Sequence, residues 1–195
     1  MDINSKLIIK EDKMNLFQNK AFAIIIMIVM IIASVLIGSH RSLTDLSVDA
    51  SNVFINGANG DGMGIQNDLN QRFELSGNLV KIADNYIDMN NSIFKTISDA
   101  RNSLTTAQIP KEKYNANIKL TEAVNELYTL LGKENLSDKD ERYRNSIYAD
   151  FCSRNDTIGH DKYNEYAKKF NDTLKQFPAN ILSKLTFVKP LELFQ

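Results

Sequence analysis

The sequence predicts an all-α protein, with an N-terminal transmembrane helix followed by an up-and-down antiparallel bundle of about four helices. Three observations predict it. An uncharged apolar run, AFAIIIMIVMIIASVLI, extends from Ala21 to Ile37. Beyond it, apolar residues recur at the three- and four-residue spacing of helices rather than in alternation. Eight Gly and three Pro, with 43% hydrophobic residues, favour long helices over a turn-rich β architecture.

The apolar run is bounded by Lys20 on one side and by His40 and Arg41 on the other. At about 1.5 Å per residue it covers roughly 25 Å, slightly short of a ~30 Å hydrocarbon core, so Lys20 snorkels and Gly38 and Ser39 sit at the interface. A cleaved signal peptide fits less well, because its apolar region runs only about 7–15 residues and ends in an A-x-A-like site. Lys6, Lys10, Lys13 and Lys20 outnumber Arg41 beside the run, and the positive-inside rule then keeps the N-terminus in the cytoplasm. The expected organisation is a cytoplasmic tail at 1–20, a single pass through a bacterial-type cytoplasmic membrane at 21–38, an extracytoplasmic bundle at 39–188 and a C-terminal tail at 189–195. The lipid bilayer is thus the first expected partner, through residues 21–38.

Leu43, Leu46, Ala50, Val53 and Phe54 continue at helical spacing, so the membrane helix runs on into the bundle or resumes almost at once. Residues 56–64 hold half of the glycine in the chain and predict a loop. A helical stripe follows from Ile65 to Tyr86, with Gly77 inside it marking close packing or a bend. Asn90 or Asn91 caps the next helix, which buries Ile93, Phe94, Ile97, Ala100 and Leu104. Pro110 suits the first turn of another, with Tyr114, Ile118, Val124, Leu127, Tyr128 and Leu131 on its core face and Gly132 at its end. Ser137 and Asp140 resemble a capping box that opens a last long helix. Its stripe passes through Tyr143, Ile147, Phe151, Ile158, Tyr163, Tyr166, Phe170, Leu174 and Phe177 up to Pro178, with an irregularity at Thr157–Asp161.

A net charge of −1 lacks the basic excess that nucleic-acid binding leaves, so no nucleic-acid partner is expected. One cysteine, Cys152, excludes an intrachain disulfide and the paired cysteines of a zinc site. Asn59 and Asp61 echo a calcium loop, but Met63 then takes the fifth ligand position and Asn70 the twelfth, so the register fails. No metal or cofactor is expected. On one unbroken helix Cys152 and His160 stand ~12 Å apart along the axis, too far for a nucleophile and its base, so no catalytic set and no enzyme is expected. The polar run Ser153–Asp161 is the best candidate interaction surface, with Arg154, Asn155, Asp156 and His160 as its residues. Its simpler reading is a solvated kink held by Asn and Asp side chains.

Tyr163-Asn164, Phe170-Asn171, Phe177-Pro178-Ala179-Asn180 and Lys189-Pro190-Leu191-Glu192-Leu193-Phe194 resemble the ending of the LemA family, with its Y-N, Y-N, F-P-x-N and K-P-L-E-x-F series. His40-Arg41-Ser42-Leu43 and Glu74-Leu75-Ser76-Gly77-Asn78-Leu79-Val80 echo the family's N-S-L-like and D-L-I-P-N-L-V elements. The likeness extends from residue 21 onward. Two departures are the loop at 56–64, where the family pattern runs as one helix, and Gly77, where it has proline. The resemblance implies a membrane-anchored helical protein without an established activity. An interaction or scaffold module bound to an unknown protein partner or to itself is the leading expectation, and an extracytoplasmic ligand-sensing bundle the alternative.

Overall fold

The computed structural model describes residues 20–195, and the tail with Lys6, Lys10 and Lys13 lies outside them. Among the described residues the secondary structure is helical: α1 Lys20–Asn56, α2 Ile65–Ala83, α3 Ser92–Thr106, α4 Pro110–Leu131, α5 Asp138–His160, α6 Tyr163–Thr173 and α7 Ala179–Leu185. They form two compact units, one of the described residues up to Asp45 with Lys175–Lys189, the other of Leu46–Leu174 with Pro190–Gln195.

α1 continues without a break, and its apolar first half is long enough to cross a membrane and has no buried residue. In the larger unit α2 packs on α5, α4 and α3, while α3 pairs with α4. The core gathers Val53, Phe54, Leu69, Leu79, Ile97, Leu120, Leu127, Phe151 and Tyr163 from successive helices.

Local chemistry sets the helix starts. The Asn91 side chain accepts from Ile93 N–H at 3.1 Å, Pro110 opens α4, and Ser137 Oγ accepts from Asp140 N–H at 3.1 Å. Asp140 also accepts from Ser137 Oγ at 2.8 Å and from Tyr86 Oη at 2.5 Å, which joins the start of α5 to the end of α2. At Gly77 an added Cβ would lie 2.7 Å from Arg101 Nη1. Arg101 uses that space to reach the Phe73 carbonyl and Ser76 Oγ, with its guanidinium 3.8 Å from the Phe73 ring centre. Close packing, rather than a bend, is therefore what Gly77 marks.

Several expectations need correction. The last long helix is two helices, because α5 continues regularly through His160 and the break falls at Asp161–Lys162. The irregularity is thus narrower than 157–161, with Asp161 Oδ1 accepting from Tyr163 N–H at 2.7 Å across it. Ile118, Tyr143, Tyr166 and Phe177 are exposed rather than core. In α4 the inward face runs through Ala116, Leu120, Ala123 and Leu127, where small residues allow close approach and turn Ile118 outward. The short α7 beyond Pro178 was not foreseen.

Candidate functional site

Three arrangements concentrate polar chemistry in the larger unit. The first surrounds Arg72 on α2, which is 0% exposed. Its Nη1 donates to the Phe151 carbonyl at 2.8 Å, Nη2 donates to Thr121 Oγ1 at 2.5 Å, and the guanidinium lies 3.8 Å from the Phe151 ring centre. Nε has no partner. Burial lowers the guanidinium to about 10, opposed by the nearby Cys152 and Asp68 groups, so it stays charged at neutral pH. One turn earlier the buried Asp68 accepts from Arg154 Nη1 at 3.2 Å. Asn117 Nδ2 donates to Asn155 Oδ1 at 3.2 Å, while Asn117 Oδ1 is buried without a partner. The set ties α2, α4 and α5 together through hydrogen bonds that an apolar core lacks.

This network divides the predicted surface. Arg154, half-buried, donates to Asp68, and Asn155, still exposed, accepts from Asn117. Asp156 and His160 remain outside, with side chains 81% and 80% exposed, and His160 Nδ1 donates to the Asp156 carbonyl at 2.8 Å.

The second arrangement brings together the glycine-rich loop and the α5–α6 break. Gly57, Gly60 and Gly62 have positive φ, and Gly62 N–H returns to the Asn56 carbonyl at 2.9 Å. Gly64 comes so close to the end of α1 that an added Cβ would lie 2.5 Å from the Phe54 carbonyl oxygen. The loop thereby faces His160, Lys162 and Tyr166 across a cleft of about 380 Å³ that Asn59 and Asp61 also line. Asp161 on the same cleft titrates above the ordinary carboxylate range because burial outweighs its bond from Tyr163 N–H. Among the described residues no three His, Cys, Asp or Glu side chains converge on a metal position.

The third holds the C-terminal tail. Asn164 Nδ2 donates to the Phe194 carbonyl at 2.9 Å and its Oδ1 accepts from Phe194 N–H at 2.8 Å. Asn171 repeats this with Leu191, at 2.9 and 2.7 Å. Two helical turns separate the asparagines, a rise of ~10.5 Å, which matches three extended residues at ~3.3–3.6 Å each. Between them Tyr163 Oη donates to the Glu192 carbonyl at 2.6 Å. The tail runs antiparallel to α6 and seats Phe194 in the core, its ring 5.3 Å from Tyr114 and 5.9 Å from Phe54. Sequence reading placed these residues in motifs without seeing that their amides substitute for the edge of a strand.

An apolar N-terminal helix, a helical bundle and a tail clasped by asparagines define a class of helical-bundle protein with a built-in C-terminal latch. The LemA family model matches residues 62–195, and the chain belongs to the LemA family. The match begins inside the glycine-rich loop and takes in the latch. No curated protein matches the chain.

Proposed function

We propose that this protein is a membrane-tethered, non-enzymatic interaction module of the cell envelope, with α1 as its single pass and the bundle on the extracytoplasmic side. The observation that carries the reading is the apolar half of α1, in which no residue from Ile24 to Ile37 is buried. The same helix ends in Val53 and Phe54, both in the bundle core, so tether and bundle are one element of the chain. The buried polar groups around Arg72 serve packing between helices. The groups left for a partner are Asp156, His160 and the cleft that His160 borders with the glycine-rich loop. Crosslinking of the tagged full-length protein in intact cells, followed by isolation from membranes, tests it. A recurrent distinct partner, or a defined ladder of self-crosslinks, is the expected result. Purified protein that turns over a substrate, with His160→Ala abolishing the turnover, would sink it.

A second reading, a ligand-sensing bundle, is favoured by the cleft itself. Its mixture of Asn59, Asp61, His160 and Lys162 suits a small polar molecule. Binding of such a molecule would raise the melting temperature of the protein with concentration.

A further inference from the structure

The smaller unit contains a helix with its polarity reversed. On α7 the residues turned toward protein are mostly polar or small, with Ser183 and the adjoining Thr186 buried and Ala179 and Asn180 half-buried, Leu182 being the one large apolar side chain among them. The residues turned away are apolar: Ile181 and Leu185, flanked by Phe177 and Phe187, which are 80% and 86% exposed. A helix end meeting water carries the opposite pattern. Phe187 also holds a φ of 60°, a strained conformation for a bulky side chain, and its ring meets almost no protein.

The position of α7 says what covers this face. His40 Nδ1 donates to the Thr186 carbonyl at 3.1 Å, and Gly38 and Ser42 of α1 line a shallow groove with Ala179 and Leu182. The short helix therefore lies beside α1 within about a turn or two of Ile37, where the apolar run ends. That is the level of the membrane–water boundary if α1 spans the bilayer. Lys184 and Lys189 flank the apolar face and are exposed, in the place where cations meet lipid phosphates.

We propose that α7, with Phe177 and Phe187 at its ends, is an interfacial anchor whose outward face lies in the headgroup–acyl boundary of the bilayer that α1 crosses. The proposal rests on reading α1 as a span. It gives the protein a second, independent lipid contact.

The chain has no tryptophan, so single substitutions report on single sites. Phe177→Trp, Leu185→Trp and, within the apolar run, Met30→Trp are made in the full chain and reconstituted into phosphatidylglycerol–phosphatidylethanolamine vesicles, with or without lipids brominated on their acyl chains. Expected are a shift of the Phe177→Trp and Leu185→Trp emission to shorter wavelength, loss of intensity in brominated lipid and protection from aqueous iodide. Quenching of Met30→Trp by bromine with the other two open to iodide would overturn the anchor and leave the span standing. The converse, with Met30→Trp open to iodide and the other two quenched by bromine, would overturn the span and with it the placement of α7 at the boundary of a bilayer that α1 crosses. Shielding of Phe177→Trp and Leu185→Trp without bromine quenching, lost on dilution into excess lipid, would assign the face to a second copy of the chain and also overturn the anchor.

Discussion

Asn164 clasps Phe194 by both faces of its amide, giving a hydrogen bond to the backbone carbonyl at 2.9 Å and taking one from the backbone N–H at 2.8 Å. Asn164→Leu leaves both tail groups unpaired, and at a net ~1 kcal/mol for each bond the loss is about 2 kcal/mol. For a protein of this size that lowers the melting temperature by roughly 4–8 °C. Thermal unfolding of the full chain in detergent checks it. Asn164→Asp, which keeps the acceptor and loses the donor, should fall between Asn164→Leu and wild type.

Tyr163 gives the same latch a pH dependence. Burial, with Glu192 nearby, raises its phenol from 10.0 to about 12. A group with a raised folded pKa stabilises fully below its unfolded value and loses that contribution as pH rises through the folded one. The stability difference between wild type and Tyr163→Phe should therefore be constant below pH 10 and shrink between 10 and about 12. Paired melting curves across that window measure it, and a difference that persists unchanged to the top of the window would contradict the buried phenol.

Arg72 links α2 to Thr121 and to Phe151 at the heart of the bundle. Truncation by Arg72→Ala opens a cavity and strips the partners, costing about 3–5 kcal/mol as for other broken buried polar pairs. Arg72→Lys keeps the charge but cannot span two acceptors with a planar fork, and it should recover only part of the loss. Arg72→Met, which fills the volume without a buried charge, should be the mildest of the three. Chemical denaturation ranks them.

The loop glycines separate by mechanism. Gly64→Ala places a methyl group against the backbone oxygens of Phe54 and Val53, which cannot rotate away, so a cost of about 1–3 kcal/mol is expected. Gly60→Ala meets open space and loses only the ease of a positive φ, a cost nearer ~1 kcal/mol. Comparing their unfolding midpoints tests whether close approach, rather than turn geometry, fixes the loop on α1.

Features set by local chemistry were legible in the sequence. Asn91, Pro110 and Ser137 start their helices through contacts within a few residues, and the apolar run of α1 is a property of one segment. Features set by distant partners were not. Arg72 sits between Leu69 and Phe73 and reads as a solvent residue, although its shared face with Leu69, Ser76 and Leu79 was a usable signal for burial. The ties of Arg154 and of the exposed Asn155 into the bundle were not legible, because their partners, Asp68 and Asn117, lie far away in the chain. Phe177 keeps helical spacing with Phe170 and Leu174, yet α6 ends at Thr173, so the stripe stops there and the ring points outward. The tail motifs were visible as a resemblance, but the match between two helical turns and three extended residues that makes them a latch needed coordinates.

The native chain carries its own reporter for where the bundle lies, since its one cysteine, Cys152, is exposed on α5. Intact cells making the full-length protein would be treated with a membrane-impermeant maleimide, and the labelled protein recovered from the membrane fraction. A membrane-tethered extracytoplasmic module predicts labelling of membrane-bound protein without permeabilisation, lost in Cys152→Ser. Labelling that appears only after the membrane is opened, or protein recovered free of the membrane, would contradict that account.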